Sequence, residues 1–224
     1  MQFIRFMSAG IILSAGMALA HGDVAPQPMN TDALPDVGEE WLIENPYRAE
    51  KVGEDVWKVA LEIGDSGYNQ NCARCHGLGG VSGGLAPDLR YLEAEEYGDE
   101  WYAERFIHGY TQNGITKMPA FGELLGQKAA WAIRTYVETR PDDGAMDAFS
   151  VRLKEIRDQL LTNQVDDVAT LQAELADIAG QVETASGAPI ADSVAYRAAN
   201  LLAGEVPNFA EAANQLTIGL SAVD

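Results

Sequence analysis

The sequence predicts an all-α fold with an N-terminal extended arm, a central domain and a helical, acidic C-terminal extension. Two observations support this prediction. Apolar residues recur at three- and four-residue intervals in several segments, which is the spacing of one helix face. The chain has 224 residues, of which 47% are hydrophobic, so it can bury the core of one good domain and a smaller second unit.

The first 20 residues resemble an export signal. Arg5 supplies a positive charge, the run 6–20 is apolar, and a small-residue cleavage motif ends at Ala20. The run is short for a membrane-spanning helix, which favours cleavage over a retained anchor. The sequence therefore predicts a signal peptide over 1–20 and a soluble mature protein in the bacterial periplasm. A mature N-terminus at His21 would join an α-amine to an imidazole, a minor alternative site for copper.

The arm and the central domain are predicted from proline content and helical periodicity. Residues 21–45 contain several prolines, which break helices, so they are expected to lie as an arm on the domain over 46–140. Within that domain, helices are predicted over 53–71, 99–110 and 123–140, with loops over 77–90 and 111–122.

The extension over 141–224 differs in character from the rest. It carries 14 acidic and 4 basic residues, about half of the net charge of −19. Residues 168–182 form a short heptad-like apolar seam, and helices are predicted over 191–203 and 208–220. Three roles stay open: a helical bundle packed on the central domain, self-association through 150–224, or a docking module for a partner.

The net charge of −19 also argues against nucleic acids as partners. A strongly acidic surface repels phosphate backbones, so no nucleic acid is expected to bind. The same surface suits a soluble protein that meets its partners through electrostatic steering.

The segment NCARCHG holds both cysteines of the chain, Cys72 and Cys75, followed directly by His76. A Cys-x-x-Cys pair alone is compatible with a redox site, half of a zinc site or a disulfide. A zinc site needs four suitable ligands, and no further cysteine is present. A redox pair normally opens a helix after a strand, whereas no β pattern precedes Cys72. The adjacent histidine indicates covalent attachment of one haem c, with His76 as the proximal iron ligand.

Met118, in TKMPAFG, is the predicted second iron ligand, because a thioether gives a low-spin iron with a raised reduction potential. His108 is the alternative ligand, and Met29 in the arm is disfavoured. The remaining ring nitrogen of His76 should donate to a carbonyl that fixes the ring. We expect that carbonyl to be Pro87, because its rigid backbone can hold an acceptor in place.

The order of these features resembles the class I cytochromes c. A first helix, CARCH, a proline loop, Met-Pro and a terminal helix follow one another along 53–140. Gly64 and Tyr68 lie before the cysteines, and Ile133 and Tyr136 lie on the terminal helix. In that family the first helix crosses the last over a glycine contact with an aromatic side chain beside it. The resemblance implies a monohaem class I cytochrome c fold.

A closer resemblance covers 21–141. The segments NPYR, YNQNCARCHGL, SGGLAPDLR, NGITKMPAF and WAIRTYVETRP are similar to periplasmic cytochromes c that accept electrons from PQQ-dependent (quinoprotein) alcohol dehydrogenases. This resemblance implies thioether bonds at Cys72 and Cys75, and iron ligands at His76 and Met118. It also implies a one-electron carrier, not an enzyme, between such a dehydrogenase and a terminal oxidase or another cytochrome.

Two other functions stay open from the sequence. A haem c enzyme of the peroxidase kind requires an open sixth coordination site on the iron. Ligation by a methionine would close that site and so argues against this function. A haem-based sensor would use the C-terminal extension as its output module.

Overall fold

The structure is a computed structural model and describes residues 26–222. The predicted signal peptide over 1–20, its cleavage after Ala20 and the copper alternative at His21 lie outside the described residues. Within the described range, no helix combines the length and apolar character needed to cross a membrane.

Helices dominate the described range, which confirms the all-α prediction. Between residues 26 and 222, one β-hairpin pairs β1 (Tyr110–Gln112) with β2 (Ile115–Met118) in antiparallel register. The helices between residues 26 and 222 are α1 (Ala49–Val52), α2 (Glu54–Asn71), α3 (Ala73–His76), α4 (Glu96–His108), α5 (Gly122–Glu138), α6 (Ser150–Leu161), α7 (Val168–Gln181), α8 (Val194–Leu202) and α9 (Phe209–Gly219).

Helices α2 and α5 cross at close range and form the centre of the first core. A Cβ atom at Gly64 would lie 2.0 Å from the Ala132 carbonyl oxygen, so only glycine allows this approach. Beside the crossing, the rings of Tyr68 and Tyr136 have centroids 5.2 Å apart. The buried residues of α2 are Trp57, Ala60, Leu61, Gly64, Gly67 and Tyr68.

The arm lies on this core without regular structure. Leu34 is buried in it, and Met29 packs so closely on α2 that a Cβ atom at Gly67 would be 2.1 Å from its terminal methyl carbon. Gln27 and Asn71 exchange hydrogen bonds, with the Gln27 N–H 2.7 Å from the Asn71 side-chain oxygen. The arm is therefore tied to the end of α2, next to the cysteine segment.

A buried ion cluster joins Arg48, which directly precedes α1, to α4 and α5. Arg48 donates to Asp99 and Glu138, each at 2.9 Å, and Arg134 donates to Asp99 at 2.8 Å. Burial raises the pKa of Glu138, although Arg134 and Arg48 oppose this shift. Burying charges of this kind costs little folding free energy only while each charge keeps its partner. The cluster therefore holds these elements in one arrangement.

The hairpin corrects the expectation of a loop over 111–122. Asn113 and Gly114 both adopt left-handed backbone conformations, with φ angles of 53° and 75°. Two such residues between paired strands form a type I′ turn, for which Asn-Gly is the strongest short sequence signal. The hairpin places Met118 at the end of a paired strand rather than in an irregular loop.

Helices α6 to α9 form a bundle with a second core. Leu153, Ile156 and Leu160 of α6 are buried in it, together with the seam of α7. Helix α6, which begins after Phe149 without a side-chain cap, is not predicted from the sequence. The sequence analysis places α9 correctly, where the Asn208 side chain accepts a hydrogen bond from the Glu211 N–H at 3.1 Å.

The extension packs against the central domain. The ring of Tyr196 in α8 meets the ring of Trp57 edge to face, with centroids 5.6 Å apart. Asp192 is buried, its N–H donates to the Thr139 carbonyl at 2.9 Å, and its carboxylate accepts from both Arg140 and Arg197. The structure therefore shows the extension as a bundle packed on the central domain, and self-association and docking of a partner stay predictions.

Candidate haem attachment site

The cysteine segment occupies a sharp break at the end of α2. Cys72 follows the last residue of α2 and precedes the single turn α3, which ends at His76. Gly77 then adopts a φ angle of 83°, and a Cβ atom there would lie 1.8 Å from the Val81 carbonyl oxygen. Tyr68 donates its hydroxyl hydrogen to the Gly77 carbonyl at 2.8 Å, which anchors this turn to α2.

The surroundings of the two thiols argue against a redox pair and against a zinc site. Both are free, with Cys72 half-buried and Cys75 exposed. Desolvation, with a smaller contribution from Cys75, raises the pKa of the Cys72 thiol to about 12. Redox-active Cys-x-x-Cys pairs have lowered pKa values, so this environment does not suit one. Between residues 26 and 222, no three His, Cys, Asp or Glu side chains cluster as a zinc site requires.

His76 is buried, and one contact fixes the orientation of its ring. Its Nδ1 atom lies 2.9 Å from the carbonyl oxygen of Pro87. Since a carbonyl only accepts, Nδ1 must carry the hydrogen, and the Nε2 lone pair of the neutral ring is left to bind a metal. This is the arrangement expected of an iron-ligating imidazole.

The Pro87 carbonyl lies in a loop with its own hydrogen bonds. The Ser82 hydroxyl donates to the Ala86 carbonyl, and the Ser82 N–H donates to Asp88 at 3.3 Å. Asp88 also caps the short 3₁₀ turn Leu89–Tyr91 by accepting from the Arg90 N–H at 3.0 Å. These bonds hold the acceptor in place on both sides of Pro87.

Met118 lies at the end of β2, half-buried against the first core and opposite Tyr110. The preceding helix approaches it closely, since a Cβ atom at Gly109 would be 2.5 Å from the Met118 carbonyl oxygen. The Phe121 N–H then donates to the Phe106 carbonyl at 2.8 Å. The backbone on both sides of Met118 is therefore attached to the end of α4.

The other two candidates have different surroundings. His108 is exposed at the last position of α4, and Met29 packs over Gly67 in the arm. The remaining donor set is two free thiols, one imidazole with an available Nε2 and one half-buried thioether. This set has the chemistry that a covalent haem c requires, so the residues fit that cofactor.

Arg90 and Asp143 also belong to this region, although the sequence analysis does not predict a role for either residue. Arg90 is buried and its guanidinium bonds to Asp88 and Asp143. The sequence contains one signal for Arg90, its place directly after the PDL motif. Nothing local points to Asp143, which lies 53 positions further along the chain.

Comparison with known proteins relates the chain to cytochromes. Residues 59–137 match the family described as cytochrome c oxidase, cbb3-type, subunit III. The chain is 51% identical over 131 residues to cytochrome c550 of Pseudomonas aeruginosa, which covers 58% of this chain and 88% of that relative. No solved structure matches the chain.

Two larger proteins match a shorter part of the chain. Quinohemoprotein alcohol dehydrogenase ADH IIB of Pseudomonas putida is 31% identical over 97 residues, 42% of this chain and 14% of that enzyme. Quinohemoprotein alcohol dehydrogenase ADH-IIG of the same species is 31% identical over 85 residues, 38% of this chain and 11% of that enzyme. The similarity thus concerns a small segment of each enzyme.

The alignment covers 58% of this chain but 88% of cytochrome c550, so this chain is the longer of the two and part of it has no counterpart in that relative.

Proposed function

This chain belongs to the class I c-type cytochromes, and from that premise we propose that His76 and Met118 are the two residues that would bind its haem iron. As a member of this family the chain binds one haem c covalently and acts as an electron carrier, not an enzyme. When bound, the haem supplies a one-electron Fe(III)/Fe(II) couple. The chain supplies the ligands, the attachment and the surrounding core.

The ligand proposal rests on one hydrogen bond of His76. The hydrogen bond from His76 Nδ1 to the Pro87 carbonyl, 2.9 Å long, leaves Nε2 as the ring atom available to a metal. Cys72 and Cys75 precede this imidazole directly and are available for the thioether bonds. Met118 is the half-buried thioether on the rigid end of β2.

Spectroscopy of two methionine variants tests the ligand set. Met118 and Met29 are both partly buried against the first core, so Met118→Leu and Met29→Leu remove similar packing. We expect Met118→Leu to abolish the far-red sulfur-to-iron charge-transfer band and to lower the midpoint potential. Met29→Leu should leave both unchanged. If the band survives in Met118→Leu, methionine 118 is not the ligand.

The same variants separate a carrier from a haem c enzyme or sensor. An open or labile sixth site binds carbon monoxide when the iron is reduced. We expect the reduced native protein to bind none without denaturant and reduced Met118→Leu to bind it readily. Rapid binding by the native protein would favour the enzyme or sensor instead.

We further propose that a quinoprotein alcohol dehydrogenase in the periplasm reduces this cytochrome, and that a terminal oxidase or another cytochrome oxidises it. Two relatives are quinohemoprotein alcohol dehydrogenases by name, and they share a segment with this chain. A cytochrome segment within such an enzyme supports the idea that a separate cytochrome accepts electrons from a related enzyme. The predicted signal peptide over 1–20 supports export.

Stopped-flow reduction by a purified quinoprotein alcohol dehydrogenase tests the donor. We expect rapid reduction, and because this chain carries a net charge of −19, the rate should fall with added salt if the enzyme docks through a basic surface. A quinoprotein glucose dehydrogenase, mixed under the same conditions, is the control donor. Equal rates from both enzymes would contradict the proposed specificity.

A further inference from the structure

The turn that begins the C-terminal extension reaches the loop that carries the Pro87 carbonyl. Asp143 accepts a hydrogen bond from Arg90 Nη1 at 2.7 Å and another from the Tyr91 hydroxyl at 3.1 Å. Both donors belong to the 3₁₀ turn Leu89–Tyr91, which follows Pro87 and Asp88 directly. One carboxylate of the extension is therefore bonded to two residues of this turn.

Arg90 links that carboxylate to the loop between His76 and Pro87. Its guanidinium bonds to Asp88 through Nε at 3.1 Å and Nη2 at 2.8 Å. Its aliphatic part lies so close to Gly80 that a Cβ atom there would be 2.8 Å from the Arg90 Cγ atom. The buried side chain thus contacts the loop near its start and again at its end.

The charges around Arg90 match this arrangement. Hydrogen bonds from Arg90 and Tyr91 hold the pKa of Asp143 below its usual value. Burial tends to raise the pKa of Asp88, but hydrogen bonds from Arg90 and Ser82 outweigh it and the pKa is lowered. Both carboxylates are therefore ionised at neutral pH and keep the guanidinium in a fixed position.

We propose that Arg90 and Asp143 are positioning residues that hold the Pro87 carbonyl against His76 Nδ1, so that the extension adjusts the midpoint potential of the haem. The inference rests on the proposed function, since it takes His76 as an iron ligand. A firm Nδ1–H···O bond makes the imidazole a stronger electron donor, which favours Fe(III) and lowers the potential. A looser Pro87 carbonyl weakens that bond and raises the potential.

The variant Asp143→Asn removes the charged bond to Arg90 in the full-length haem protein. The Asp143 side chain is 69% exposed, so this variant keeps the fold. Asp147→Asn is the matched control, because it removes the same charge from an exposed residue four positions away. Asp143→Glu keeps the charge and tests for rescue.

Two measurements are made on each variant: the midpoint potential, and the exchange rate of the His76 Nδ1 hydrogen by NMR in the reduced state. We expect Asp143→Asn to raise the potential by more than Asp147→Asn does. It should also speed exchange about fivefold, the factor for about 1 kcal/mol of lost hydrogen bonding. Asp143→Glu should restore both values in part.

Equal potential shifts in Asp143→Asn and Asp147→Asn with unchanged exchange would overturn the proposal, because only net charge would then matter. The exchange rate is read on the His76 ring itself. It therefore tests the Arg90–Asp143 link even if the Met118 variants show that Met118 is not a ligand. Arg90→Lys keeps the charge but loses the two-point contact with Asp88, so it should speed exchange of the His76 Nδ1 hydrogen further. An unchanged exchange rate in this variant would also overturn the proposal.

Discussion

Gly64 of α2 and Ala132 of α5 are in backbone contact at the point where the two helices cross. A Cβ atom at Gly64 would lie 2.0 Å from the Ala132 carbonyl oxygen and 3.0 Å from the Tyr136 Cβ atom. The first distance is too short for a real contact and involves backbone, which cannot move aside as a flexible side chain can, and the second is a tight contact. The crossing brings α2, which leads into the cysteine segment, onto the helix that fills the first core.

The first prediction concerns this contact. Gly64→Ala should destabilise the protein by about 1–3 kcal/mol, because the helices must separate to admit the methyl group. Urea unfolding of the haem protein measures the change. Gly180→Ala in α7 is the control, since nothing lies within 4 Å of its Cβ position. That variant should be neutral or stabilising by up to about 1 kcal/mol, as helix propensity favours alanine. Similar stability changes in both variants would contradict the tight crossing.

The second prediction concerns the bonds that hold the extension. Asp192 is buried between two arginines and accepts from Arg197 Nε at 2.8 Å. Asp192→Asn leaves Arg140 and Arg197 without their shared carboxylate and should cost about 3–5 kcal/mol. The exposed Asp166→Asn removes the same charge and should change stability by less than about 0.5 kcal/mol. Equal losses in both variants would show that net charge alone matters.

The third prediction is a pH dependence of the same group. Burial tends to raise the pKa of Asp192, but Arg140 and Arg197 outweigh it, so its folded pKa lies below the usual 3.8. A lowered folded pKa means that the carboxylate stabilises the fold fully above about pH 4 and loses this effect as the pH falls through the folded pKa. The stability difference between the native protein and Asp192→Asn should therefore be constant from pH 5 to 7 and shrink below about pH 4. Urea midpoints at each pH measure it, and a difference that grows on acidification has the wrong sign.

The fourth prediction concerns covalent attachment. Cys72→Ala and Cys75→Ala should each retain haem through the remaining thioether, and the double variant should lose it to acidic organic solvent. The pyridine haemochrome spectrum counts the free vinyl groups, so each single variant should show one. Haem that resists extraction from the double variant would contradict attachment through these two thiols.

Much of the site could be predicted from sequence because its signals are local. The cysteines and the proximal histidine occupy five consecutive positions, and Pro87 follows within the same loop. Asn113-Gly114 is also a sequence signal for the hairpin, which the prediction of a loop over 111–122 does not use. Helix α6 has apolar residues at helical spacing, but it lacks a side-chain cap, and its start was therefore not recognised.

The sequence by itself determined the attachment chemistry and the positions of most helices, because a ligand motif and a helical period depend on neighbours a few residues apart. Only the tertiary structure decided that Asp143 bonds to Arg90, that Asp192 lies between two arginines, and that the extension covers Trp57. These contacts join residues separated by about 50 positions or more, or depend on how such segments meet. Their pairing follows from how two cores pack together, which no local propensity encodes.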